Sequence, residues 1–321
     1  VAIGNHALHH QNPSGNADMD NVAIGFAAGY TATTGTNNVF LGSEAGKTPT
    51  TASNTIAIGS DALNGGTTTG DNNIAIGTNT LQDTTSGHSN VVIGHEAGKE
   101  NIEGRNNVAI GLNALKTNTD GARNVAIGYE AMQAFNVDRL ANQYNTVVGA
   151  LAGYSMTTGA NNTLFGGYSG YNITTGGRDT FIGYNSGTQR QTGLGYNTAV
   201  GMNAFQSGTS SMNAIIGYGA GDSLVGGGEN TVIGGFACLG SCVSGGANVA
   251  IGTYTLQAHT GSNTVAVGRS AMHNNTTGEA NTAVGYHSLY ENVDGDYNTA
   301  LGYQALNKFN ADISGHGGNT G

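Results

Sequence analysis

Charge is scarce in this chain: 10 Lys and Arg and 20 Asp and Glu in 321 residues, for a formal net charge of −10. The basic residues are scattered singly, so no cationic face exists to displace counterions from a nucleic acid or to hold an anionic membrane surface. No apolar run is long enough to span a bilayer, and no signal-peptide pattern opens the sequence. A starting Met is also missing, so Val1 reads as the start of a processed or trimmed chain. Cysteine is limited to Cys238 and Cys242, within CLGSC. They read as two small residues or one local disulfide. A metal or redox pair would need a second Cys pair or a matching His cluster, and neither is present. No cofactor or metal is expected.

What is abundant is Gly, 55 residues of it, together with Asn and Thr. These are not placed at random. A phrase of Asn, Val or Thr, a small or apolar residue, Ile or Val, and Gly recurs as NVAIG at Gly25, NIAIG at Gly77, NVAIG at Gly111, NTVVG at Gly149, NTVIG at Gly234 and NTALG at Gly302. Counting the opening VAIG at Gly4 and two copies with the Asn shifted by one place (Gly59, Gly268), there are eighteen. The spacing is 16 to 18 residues except for two intervals of 21, through residues 9–20 and 134–144. A period this short and regular marks one coil of a solenoid. Helix is excluded by the recurrence of Gly and β-branched residues. The expected fold is therefore all-β: a parallel β-solenoid (β-roll or β-helix) of about eighteen coils with a repeat of about 17 residues, spanning 1–321 as one domain or as a segment of a longer array.

Each coil has a second phrase. A small residue follows the Gly by three places (Ala28, Ala45, Ala62, Thr80, Ala97, Ala114), and a polar turn such as TTG comes later (Thr33–Gly35, Thr68–Gly70, Thr276–Gly278). The turn Gly is expected to supply a positive φ for a sharp corner. Stacking puts equivalent residues in columns about 4.8 Å apart. The residue before the phrase Gly is apolar in every coil (Ile3, Ile24, Leu41, Ile58, Ile110, Phe165, Leu301), and it is assigned to the core. The preceding position should then face outward, yet it too is never polar; Ala23, Phe40, Ala109, Leu164, Phe181 and Ile215 are its representatives. An exposed apolar column needs a cover, so these residues are predicted to form the interface of a parallel homo-oligomer. The leading Asn forms a further column of Asn21, Asn38, Asn73, Asn90, Asn107, Asn124, Asn145, Asn162, Asn197, Asn213, Asn230, Asn248, Asn281 and Asn298. A structural ladder of buried amides is expected there rather than a set of ligand groups.

NVAIG followed by a small residue resembles the head repeats of YadA-like trimeric autotransporter adhesins. The alternation NNVAIGxxAL…TTG is similar to the repeat arrays of phage tail fibres that precede a self-cleaving chaperone domain. The resemblance covers essentially the whole chain. It implies a parallel β-roll in a trimer, located outside the cell, on its surface or on a virion, and engaged in attachment to a host or surface. The implied partners are further copies of the chain and a cell-surface glycan or protein receptor. The period here is longer than in adhesin heads, and no coiled-coil stalk or chaperone domain accompanies it.

Other functions leave weaker marks in the sequence. Enzymatic solenoids carry paired carboxylates in one groove; Glu96, Glu100 and Glu103 beside Arg105 come closest, and an acidic turn explains them more simply. The chain is therefore expected not to be an enzyme. His6, His9 and His10 with Asp18 or Asp20 could hold a metal, but a surface loop is the simpler account. Tyr129, Tyr184, Tyr218, Tyr286 and Tyr303 follow the phrase Gly and could stack on sugars or pack on one another. Loops 9–20 and 134–144 are candidate contact surfaces. The ends, Val1-Ala2-Ile3-Gly4 and Gly318-Asn319-Thr320-Gly321, each look like half a phrase, which admits an alternative: a head-to-tail filament completed by strand sharing. A third reading, ice binding through the turn threonines (Thr34, Thr51, Thr69, Thr158, Thr175, Thr260, Thr277), is weakened by Glu103, Asp120 and Asp294 in the same column.

Overall fold

The computed structural model describes residues 1–12, 18–137, 142–189, 195–238, 245–309 and 320–321. The chain divides into two units, Val1–Asn162 and Thr163–Gly321. Each carries nine short strands, from Ala2–Ile3 to Thr146–Val148 in the first and from Thr163–Phe165 to Thr299–Leu301 in the second. Within each unit every strand pairs in parallel with its sequence neighbours, and the register never slips. Val108, Ala109 and Ile110 face Val125, Ala126 and Ile127 in the first unit, and Val249, Ala250 and Ile251 face Val265, Ala266 and Val267 in the second. Parallel pairing of consecutive strands across a circuit of 16 to 18 residues is a β-solenoid. The fold class expected from the repeat is present in both units.

A strand of three residues is too short to hold a coil, and the turns supply the rest of the ladder. After the phrase Gly, the second and fourth residues adopt left-handed φ, as at Asn113 (55°) and Leu115 (52°), as does the residue before the ladder Asn, as at Arg123 (60°). This alternation turns successive N–H groups toward opposite neighbours. Asn113 donates to the carbonyl of His95 in the coil before, at 3.1 Å, and Leu115 to that of Ala131 in the coil after, at 2.9 Å. Each left-handed non-Gly residue is disfavoured by about 1 kcal/mol or more; the inter-coil bonds offset that only while neighbouring coils are stacked.

The two faces of the strand are the reverse of the sequence expectation. The middle residue points inward: Ala23, Phe40, Ala109, Leu164, Phe181 and Ile215 are all 0% exposed. They are core groups of their own chain and cannot touch a partner. The residue before the Gly, assigned to the core, lies on the outer face, where Ile24 is 40%, Phe165 55% and Leu301 72% exposed. Alternation along a strand fixes which residues share a face but not which face is inside, and here both columns are apolar. The discriminating signal was the first strand position, which shares a face with the last. It holds Thr at Thr146, Thr163, Thr180, Thr198, Thr231, Thr282 and Thr299, and these hydroxyls belong on the wet side.

The core of most coils is filled by one of two arrangements. Where the middle strand residue is large, the fourth residue after the phrase Gly is itself Gly: Phe40 with Gly46, Leu164 with Gly170, Phe181 with Gly187, Ile215 with Gly221. Where the middle residue is Ala, the fourth is large: Ala57 with Leu63, Ala75 with Leu81, Ala126 with Met132, Ala199 with Phe205. The exception is Ala23 with Gly29, where Leu8 and Phe40 of the adjoining coils close over Gly29. The two side chains share one space. A Cβ on Gly46 would lie 2.1 Å from Cδ1 of Phe40, and one on Gly187 2.2 Å from Cδ2 of Phe181. Interiors are close-packed, so only one of the two positions can be occupied by a large group.

Two kinds of glycine serve two needs. The phrase Gly has φ near +135°, and a Cβ on Gly111 would sit 2.4 Å from the carbonyl oxygen of Gly128 one coil away. The turn Gly, expected to provide positive φ, does not: Gly35 and Gly70 lie outside that region. They are small because the next coil passes close by, with the Ala52 oxygen 2.1 Å from a Cβ placed on Gly35.

Candidate functional site

The Asn column is buried, from Asn38 at 0% to Asn21 and Asn248 at 4% exposure. The typical ladder amide does two jobs. Its Nδ2 donates to the turn carbonyl that ends its own circuit, as Asn21 to Gly35 and Asn107 to Gly121, both at 2.8 Å. Its Oδ1 accepts the backbone N–H at the same position of the next coil, as Asn107 from Asn124 (3.0 Å) and Asn213 from Asn230 (3.0 Å). Direct amide-to-amide bonds are added in places, as from Asn145 to Asn124 at 3.0 Å. The ladder is thus a staple that closes a coil and docks it on the next, and its bonds go to the chain itself. In the two shifted copies Thr55 and Thr264 hold the ladder position, and their N–H groups still bond Asn38 and Asn248 at 2.9 Å.

One coil places Asp179 in this column. Its Oδ1 accepts from Asn197 N at 2.9 Å and Nδ2 at 3.2 Å. Burial pushes its carboxyl up to about 6, against the pull of those two bonds.

Further buried polar groups escaped the sequence reading. Asn118 and Asn275 cap the corner glycines three residues on, each accepting from the Gly N–H at 3.0 Å and donating to the Gly carbonyl at 3.1 Å. Where the small-residue column carries a hydroxyl it is tied to a carbonyl, as Thr80 to Gly94 at 2.6 Å and Ser186 to Ala199 at 3.1 Å. The signal available for the first set was the N-x-x-G spacing within each turn.

Of the carboxylates considered for catalysis, Glu96 binds Lys116 at 2.6 Å and Lys99 at 3.0 Å, and these two donors hold its carboxyl down at about 2. A group so stabilised as an anion is a poor general acid. His6, His9 and His10 gather round Tyr30, with His9 stacked on it at 5.2 Å and His10 edge-on at 4.8 Å. Among the described residues no cluster of three His, Cys, Asp or Glu is placed to hold a metal.

Some of the tyrosines after the phrase Gly pack on neighbouring rings: Tyr286 stacks on Tyr303 at 5.3 Å, and Tyr218 meets Phe236 edge-on at 4.9 Å. Cys238 is buried and disulfide-bonded; Cys242 lies outside the described residues. So do parts of the loops 9–20 and 134–144, and Asn319 of the strand-sharing reading. Thr320 makes an isolated parallel bridge with Thr299.

What remains uncovered is the outer face of the sheet. In the first unit its two columns are aliphatic apart from Thr146: Val91, Val108 and Val125 in one, and Ile93, Ile110 and Ile127 in the other, all half-buried. In the second unit Thr replaces most of the first column, while Ile182, Ile216 and Ile233 remain exposed in the second. No charged residue occupies either column in any coil. No protein-family model and no curated protein matches this chain. No helix among the described residues is long and apolar enough to cross a membrane.

Proposed function

We propose that the chain is a non-enzymatic structural repeat segment of an extracellular, cell-surface or virion fibre, in which parallel copies associate and carry attachment surfaces. The observation that carries this reading is the charge-free aliphatic face just described. Two regular columns of Val and Ile left in water form a contiguous apolar strip of a kind monomers seldom tolerate, and the in-register spacing offers a second copy a matching set of ridges. The oligomer therefore uses the Ile110 column, not the Ala109 column. The disulfide at Cys238 supports an oxidising location, and the commitment of the Asn ladder and of Glu96 to internal bonds supports a structural role over a catalytic one. The number three comes from the likeness to trimeric fibre repeats.

Native mass by light scattering tests the proposal. A discrete oligomer is expected for the native chain, and a monomer for Ile110→Asp with its melting temperature little changed. A native chain that is monomeric at tens of micromolar would overturn it.

A further inference from the structure

We propose that a notch on the flank of the first unit binds the pyranose ring of a neutral sugar. The site is built from three successive coils of one chain and does not depend on association between copies.

The second residue after the phrase Gly forms a column of left-handed positions that reads His6, Ala27, Glu44 (φ 62°, 50° and 58°). In the coils that follow it holds Asp61, Asn79, Glu96, Asn113 and Glu130. Ala27 is the one small residue in that run; it is itself buried, at 4% exposure, and the column lacks a longer side chain one coil high. The result is a cavity of about 320 Å³ lined by His6, Phe26, Ala27, Tyr30, Glu44 and Lys47, within the range of ~300–1,000 Å³ common for small-ligand sites.

The walls of this notch are chemically divided. Phe26, 51% exposed, and Tyr30 supply ring surface. Tyr30 is held in place by the stacked His9 ring and the edge of His10. On the far side stands the Glu44 carboxylate. Both of its protein donors, Lys47 Nζ at 2.8 Å and Asn64 Nδ2 at 3.1 Å, go to the same oxygen, Oε2. The carboxylate is therefore fixed through Oε2, and among the described residues Oε1 has no donor, which leaves it for an incoming hydroxyl and a charge-assisted bond. The ligand that fits has an apolar face for the rings and hydroxyl donors at its edge, which describes a pyranose. The Lys47 ammonium, already paired with Glu44, leaves the site near neutrality. That disfavours a cation, despite the aromatic walls, and leaves no free positive charge for an anionic sugar.

Saturation-transfer NMR on the full chain provides the test, using methyl glucoside, galactoside, mannoside and N-acetylglucosaminide as separate probes at about 10 mM, suited to a Kd near 1 mM. Transfer to the ring C–H protons of at least one probe is expected. Ala27→Asn puts at this buried position the residue that Asn79 and Asn113 hold at the same place in their coils; the signal should vanish, and a melting temperature near the native one shows that the fold is kept. Glu44→Gln should weaken binding about tenfold through loss of the charge-assisted bond. Absence of transfer from all four probes would overturn the assignment. So would binding that survives Ala27→Asn unchanged, or displacement of the sugar by tetramethylammonium.

Discussion

Exchanging the two halves of one coil's filling should leave the solenoid intact, although each exchange alone should damage it. In the Gly183 coil, Phe181 is fully buried and Gly187 lies against its ring. Phe181→Ala removes the ring and leaves a cavity, at a cost of about 3–5 kcal/mol. Gly187→Leu forces a side chain to within 2.2 Å of Cδ2 of Phe181, overpacking by about 1–3 kcal/mol or more. Together they recreate the filling of the Gly59 coil, where Ala57 pairs with Leu63. The backbone raises no objection: Gly187 has φ 60° and Leu63 has φ 57°. The double variant should thus fall within about 1.5 kcal/mol of the native chain. That implies a coupling energy of several kcal/mol, well above the few tenths expected of independent sites. Urea unfolding of the four chains, with hydrogen exchange on the amides of the Gly183 and Gly201 coils, measures it. Additive losses would refute the claim that the two positions share one space.

The remaining predictions concern faces, glycines and pH. Ala109→Asp should unfold the coils around it, because an unpaired carboxylate would enter the core, whereas Ile110→Asp on the outer face should melt near the native temperature; equal damage from both would refute the face assignment. Gly111→Ala should destabilise by several kcal/mol in thermal melts, since its φ and the Gly128 carbonyl both exclude a Cβ. Asp179→Asn should stabilise at pH 7.5 by up to about 3 kcal/mol, the equivalent of moving a carboxyl from 3.8 to about 6. The sign follows from linkage: the folded chain holds the proton more tightly than the unfolded one, so the native carboxylate opposes folding above pH 6, and that penalty fades as pH falls toward 3.8. The advantage of the variant should be gone near pH 4; a difference independent of pH would refute it.

The repeat was fully legible in the sequence because a period of 16 to 18 residues needs no knowledge of packing. Eighteen phrases became eighteen strands, and the Asn column became a buried ladder. The inside of the strand was not legible from hydropathy. Ile110 is the more apolar residue, yet Ala109 is the buried one, because the interior of a coil has room for one large side chain from two positions. Reading Ala57 with Leu63 against Phe40 with Gly46 would have shown it, since a volume trade requires that the partners touch. The role of Gly35 was misread for a related reason: a sequence shows that a Cβ is absent, not whether rotation or proximity forbids it. The sugar notch was out of reach, since Ala27 looks ordinary until the run from His6 to Glu130 is seen to be otherwise filled.

Because the trade between large and small groups is settled inside a single circuit, most coils carry their own complete filling. A circuit lifted from one position and set in another brings its volume with it and meets the same Asn oxygen below and the same N–H above. Unequal crossing-over between repeats would then yield chains longer or shorter by whole circuits whose interiors are still sealed. Length in such a protein can drift in steps without passing through an unfolded ancestor, while the flanking positions, such as Ala27, vary on their own.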